Sequence, residues 1–222
     1  MKKLFMLIVG LAIFLPLPLS AQNVVIEETF DGNELNWTEN ARIKAGECVI
    51  MEGQFMFDSK NSYFITNNGS GSFRPQLLLA EGEIPVDPVG GFEISFDISF
   101  PHNASGLYTL YNGLNYTSGI LLGYDDDYNY IAVAVNEEEC YILFVKEGHI
   151  VRLKEATVKM KGKEKKNVSA NIKVIYKDFK LKIFVDDIEM TEVRKVNIDT
   201  PQIALFTTSK RKMAFDNLIV KQ

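Results

Sequence analysis

The sequence predicts an all-β chain folded as a two-sheet antiparallel sandwich of jelly-roll type. Period-2 alternation of apolar and polar residues dominates, and no segment keeps apolar residues at helical spacing beyond two turns. Short turn signals also punctuate the chain at regular intervals: Glu52-Gly53, Asn68-Gly69, Asn112-Gly113, Asn136 to Glu139, Glu147-Gly148, Lys161-Gly162 and Lys177-Asp178. Many short strands joined by tight turns, without helices to cover them, bury their apolar faces against one another.

The strands follow in order. Cys48 to Phe57 is the first run; in Phe92 to Phe100, Phe92, Ile94, Phe96, Ile98 and Phe100 share one face, and Glu93, Ser95, Asp97 and Ser99 share the other. Ile120 to Tyr124, Tyr130 to Val135, Cys140 to Lys146 and Ile150 to Leu153 come next. Ala170 to Tyr176, Lys180 to Val185, Gln202 to Thr207 and Met213 to Val220 complete the set. Ile65 to Pro75, with Asn67-Asn68-Gly69-Ser70-Gly71-Ser72, reads as a flexible loop, and its glycines open no helix that could cradle a phosphate. Asp186, Asp187 and Glu189 read as one hairpin turn and Glu137 to Glu139 as another.

The start of the chain is a separate piece. Lys2 and Lys3 precede an apolar run from Leu4 to Leu15; Pro16 and Pro18 follow, then Ala21 at the expected cleavage position. Residues 1–21 therefore read as a signal peptide and residues 22–222 as one sandwich domain, exported to the periplasm or beyond the cell. The run is too short to span a bilayer core of ~30 Å comfortably, and no second membrane segment follows. The Met-Lys-Lys start reads as bacterial, which leaves little weight to the Asn-x-Ser/Thr sites at Asn36, Asn68, Asn103, Asn115 and Asn167.

Composition narrows the function. Twenty-four Lys+Arg against 29 Asp+Glu give a formal net charge of −5, which excludes a nucleic-acid reader driven by overall positive charge. Two histidines and two cysteines exclude a His-rich zinc site or a thiolate cluster. Cys48 and Cys140 allow two arrangements: a disulfide closing a long loop, or two thiols buried in unrelated strands. The Lys159 to Lys166 and Lys210 to Lys212 clusters lack interleaved aromatics and read as solvated turns. His102 and His149 fall at loop positions, where an exposed histidine needs no catalytic explanation.

Several segments carry a likeness to known proteins. They are Gly123-Tyr124-Asp125 with Asn129 to Val133, Cys140 to Leu143 with Glu147 to Val151, Lys180 to Asp187, and Phe215 to Val220. Thr29-Phe30-Asp31-Gly32 with Leu35 and Trp37 adds an opening strand. In this order they resemble the concanavalin A-like lectin/glucanase superfamily, on its secreted bacterial branch of laminin-G-like and 3-keto-disaccharide hydrolase-like domains. The resemblance implies a concanavalin A-like sandwich with Phe30 and Phe215 near the closing seam and Trp37 as a core plug. It also implies a structural calcium ion held by oxygen ligands of the first and last strands, here Glu28 and Asp216. Asp125 to Asp127 form a second candidate cluster.

Catalysis finds no footing in the residues. The Glu-x-Asp-x-x-Glu pattern of the superfamily's laminarinases is absent, and Glu93 and Asp97 share a face at ~13 Å, beyond the separation of a glycosidase pair. Aromatics are more telling: Tyr108, Tyr111, Tyr116, Tyr124, Tyr128 and Tyr130 are interleaved with Asn112, Asn115, Asn129 and Asp125 to Asp127. Sugars are bound by this mixture, rings stacking on C–H faces while carboxylates and amides take the hydroxyls. The expected function is a non-catalytic glycan-binding or interaction domain, with Tyr108, Tyr111, Tyr116, Asp126 and Tyr128 contacting a glycan or an envelope or extracellular protein. The competing readings are a glycoside-processing enzyme related to the 3-keto-disaccharide hydrolases and a purely structural protein-interaction module.

Overall fold

A computed structural model describes residues 23–33, 35, 37, 46–52, 54–59, 65–67, 70–72, 76–79, 87, 89–101, 118–126, 128–136, 139–158, 167–200, 202–207 and 212–222. The expected signal peptide, His102, Tyr108, Tyr111, Tyr116, four of the Asn-x-Ser/Thr sites and the Lys159 to Lys166 cluster lie outside them.

Every regular element among the described residues is a strand. Strands β1 (Val24–Glu28), β2 (Gly46–Met51), β3 (Gln54–Ser59), β4 (Ile65–Asn67), β5 (Ser70–Ser72), β6 (Gln76–Leu79) and β7 (Phe92–Pro101) form the first half. The second half holds β8 (Ser118–Asp126), β9 (Asn129–Val135), β10 (Glu139–Lys146), β11 (His149–Thr157) and β12 (Asn167–Lys177). It ends with β13 (Lys180–Val185), β14 (Ile188–Arg194), β15 (Ile203–Thr207) and β16 (Lys212–Lys221). The alternating runs all appear as strands. Two differences stand out: β4 and β5 pair into a small hairpin where a loop was expected, and β14 follows the Asp186-Asp187 turn.

Eight strands form one sheet in the order β14-β13-β12-β7-β16-β3-β2, with β1 beside β16; six form a second, β11-β10-β9-β8-β15-β6. All pairings are antiparallel. Alternation along β7 puts Phe92, Ile94, Phe96 and Ile98 inward, joined by Val168, Ala170, Ile172 and Val174 of β12. They meet Ile120, Leu122, Ile131, Val133 and Ile142 of the six-stranded sheet. Phe30 and Phe215 belong to this core, and Phe215 packs on Phe96 with ring centroids 6.0 Å apart.

Unlike a one-sided strand, Tyr130-Ile131-Ala132-Val133-Ala134-Val135 is buried throughout. The six-stranded sheet explains the unbroken apolar run, because its other face is buried too, as a second cluster of Leu121, Tyr124, Tyr130, Tyr141, Leu143, Val145, Phe206 and three alanines. Within this sheet β8 approaches β9 closely at Gly119, where a Cβ would meet the carbonyl oxygen of Val133 at 2.0 Å. Cys140 is a buried free thiol, and burial pushes its pKa up to about 11. The side chain of Cys48 lies outside the described residues.

Candidate functional site

The turn joining β8 to β9 is built by the acid singled out in the sequence. Asp126 Oδ1 accepts the backbone N–H of Tyr128 at 2.7 Å, and its two carboxylate oxygens accept from Asn129 Nδ2 at 3.0 and 3.1 Å. Asn129 Oδ1 in turn accepts the N–H of Glu147, and Gly148 donates to the Tyr128 carbonyl at 2.9 Å. The β8–β9 and β10–β11 turns are thereby clasped side by side, with the Tyr128 ring lying against Gly148. Asp126 and Tyr128 were expected to contact ligand; Asp126 uses its carboxylate in the turn and remains exposed. Tyr128 is 42% exposed but lies off the cleft described next.

That cleft, of about 670 Å³, opens where the ends of β8, β9 and β10 meet residues 195–200, the segment leading from β14 to β15. Gly123, Asp125, Asn129, Tyr130, Ile131, Phe144 and Lys146 form one wall; Lys195, Asn197, Ile198, Asp199 and Thr200 form the other. The second wall is pinned by the backbone: Val196 donates to the Phe179 carbonyl at 3.0 Å, and Tyr176 donates its hydroxyl to the Val196 carbonyl at 3.3 Å. Gly123 has a φ of +56°, and a side chain there would press on Ile198 at 3.3 Å, so glycine keeps the two walls in contact.

The walls differ chemically. Asp125, Lys146, Lys195 and Asp199 carry charge at the rim, while Tyr130, Ile131, Phe144 and Ile198 supply apolar surface. Thr200 Oγ1 is buried against this cleft without a hydrogen-bond partner in the protein. Sequence reading found Asp125, Asn129 and Tyr130 within the stretch it favoured, but nothing in Lys195 to Thr200 marked a binding wall.

The other expected carboxylates are used elsewhere. Glu28 is buried, accepting the Phe30 N–H on Oε1 at 2.8 Å and the Trp37 indole N–H on Oε2 at 3.1 Å. It faces inward with Ile26, whereas Asp216 faces outward beside Asp97, its cross-strand partner on β7. The calcium pair expected from Glu28 and Asp216 is therefore split between the two faces of the sheet. Among the described residues no three His, Cys, Asp or Glu side chains gather as metal ligands, Asp125 and Asp126 included. Asp97 accepts amide protons from Asn171 and Asn217, both at 2.8 Å, and Glu93 pairs with Lys221 at 3.1 Å. On the six-stranded sheet, Tyr141 donates its hydroxyl to Glu139, and burial raises its pKa well above the ordinary tyrosine value.

No protein family and no curated protein matches the chain by sequence. Solved structures match by shape. The endo-β-1,3-glucanase of Pyrococcus furiosus aligns over 90% of this chain and 94% of its own, at 14% identity and a TM-score of 0.58. The carbohydrate-binding module CBM66 of Bacillus subtilis aligns over 84% and 95%, also at 14% identity, with a TM-score of 0.55. A Bacillus subtilis protein of galectin-like fold aligns over 90% and 96% at 8% identity, with a TM-score of 0.57. The chain has the concanavalin A-like jelly-roll sandwich fold of these structures. At such identities the likeness speaks for the fold alone.

Proposed function

We propose that the chain is an exported, non-catalytic glycan-binding domain whose ligand enters the cleft between the β8–β9 end and residues 195–200. The observation that carries this is the cleft's composition: apolar and aromatic walls and a rim of carboxylates and ammonium groups. Sugars need this pairing of a surface for C–H faces with fixed polar groups for hydroxyls. The superfamily likeness supports the same reading, since its members of this shape include carbohydrate-binding modules and glucanases.

A glycan array probed with the labelled exported chain tests it. At least one glycan is expected to bind, with Asp125→Ala and Thr200→Val each weakening it about tenfold, the loss of one or two hydrogen bonds to a bound ligand. Binding without loss in either variant would move the site elsewhere. Release of new reducing ends from a bound glycan would establish the glycoside-processing reading instead, and no glycan bound at all would leave the structural-module reading.

A further inference from the structure

Residues 195–197 form a wall with two sides. The cleft described above lies on one side, and on the other lies a groove of about 510 Å³ that shares Lys195 and Asn197 with it. Burial alternates along this stretch: Val196 and Ile198 are buried, whereas Lys195 and Asn197 stand exposed between the two hollows. Phe179 of the β12–β13 turn, with Lys180 and Arg194, completes the groove. The Phe179 carbonyl accepts the Val196 N–H at 3.0 Å, so the turn that carries the ring is tied directly to the wall of the cleft.

Phe179 is an unexpected residue in that turn. The β10–β11, β12–β13 and β13–β14 hairpins each close through two residues of positive φ, and their second positions are Gly148, Phe179 and Asp187. Glycine and aspartate suit the left-handed region; a bulky aromatic with a φ of 58° does not. Nor does the core repay the strain, since Phe179 remains 63% exposed. Backbone strain kept where burial gives no return points to a role for the side chain at the surface. Here that surface is the groove.

We infer that the groove is a second subsite for the same ligand, a linear uncharged polysaccharide that leaves the cleft over Lys195 and Asn197 and lays a further sugar on the Phe179 ring. The inference rests on the glycan reading of the cleft and names the ligand's class. Continuity argues for one chain in both hollows, because the residues that end the cleft begin the groove. The groove's surface suits a sugar: an aromatic ring and the alkyl stems of Lys180 and Arg194 for C–H faces, with the Lys195 ammonium and the Asn197 amide for hydroxyls. Charge argues for an uncharged ligand. In the cleft Asp125 and Asp199 balance Lys146 and Lys195; in the groove Asp178 balances Lys180, and Glu192 holds Arg194 at 2.6 Å. No net positive potential is left to draw in a polymer of uronates or sulfates.

Affinity as a function of ligand length tests the inference. The exported chain is titrated with di- to hexasaccharides of β-1,3-glucan, β-1,4-glucan, β-1,4-mannan and β-1,4-xylan, and with oligogalacturonates as the acidic series. In one uncharged series the hexasaccharide is expected to bind about tenfold more tightly than the disaccharide, the gain from one stacked ring. Phe179→Gly should cancel that gain and leave the disaccharide's affinity as it was, which also shows that the variant is folded; glycine suits the turn. A disaccharide that binds as tightly as the hexasaccharide and is lost in Asp125→Ala would overturn the second subsite while the cleft stands. So would a variant that keeps the gain with length. Binding confined to the oligogalacturonates would overturn the uncharged class, and no binding in any series would overturn the subsite and the cleft reading together.

Discussion

Glu28 Oε2 accepts the indole N–H of Trp37 at 3.1 Å inside the core, and the same carboxylate takes the N–H of Phe30 on its other oxygen. Phe30 has a φ of 55° and packs its ring on Trp37 at a centroid distance of 5.8 Å. One buried acid thus holds the chain's exit from β1 and its sole tryptophan in place.

Glu28→Ala should remove the acceptor of two buried donors, the Phe30 N–H and the Trp37 indole N–H, and cost roughly 2 to 4 kcal/mol. Glu28→Gln keeps one acceptor oxygen and should lose less. Urea unfolding followed by tryptophan fluorescence measures both, and equal losses would show that the carboxylate's bonds carry no weight.

Asp216 lies directly across from Asp97, an unfavourable pairing that the Asn171 and Asn217 amides ease on the Asp97 side. Asp216→Asn should raise stability by a few tenths of a kcal/mol, and less as salt is added. A calcium ion at this residue would give the opposite sign in millimolar calcium, where the variant would lose stability, while with EDTA the small gain would remain.

Gly119→Ala drives a Cβ into the Val133 carbonyl of the neighbouring strand. Parting β8 from β9 should cost at least ~3 kcal/mol and appear as insoluble expression. Soluble protein with an unchanged melting temperature would contradict the close approach.

The Cys140 thiol is raised from 9.0 to about 11 because burial disfavours the thiolate. Above about pH 9 the unfolded chain releases this proton and the folded chain keeps it, so stability present below pH 9 drains away up to about pH 11. Tyr141 and Tyr176, also raised by burial, act with the same sign at higher pH. Melting temperatures from pH 8 to 11 should fall, and Cys140→Ala should flatten the earlier part of the fall, which is on the order of 2 kcal/mol.

The fold was legible where side chains alternate for six residues or more, as in β7 and β13. Strand β14 was not, because it exposes Ile188 and buries Thr191, the reverse of the pattern that reveals a strand. The turn role of Asp126 was not legible for a related reason: sugar sites and Asx-type turns draw on the same residues, and only coordinates show which backbone N–H a carboxylate accepts. The cleft was half visible. Its β8–β9 wall is local in sequence, whereas residues 195–200 reach it through the crossing from one sheet to the other, which no local pattern records.

Strand β16 lies between β7 on one side and β3 and β1 on the other, at the middle of the eight-stranded sheet. A chain that has emerged only as far as residue 211 therefore holds two sets of strands with no partner between them. The larger sheet cannot zip from its N-terminal end as synthesis proceeds; it must wait for residues 212–221 to arrive and then assemble at once. Delayed closure of this kind makes the loss of residues 212–221 far more damaging than their number suggests.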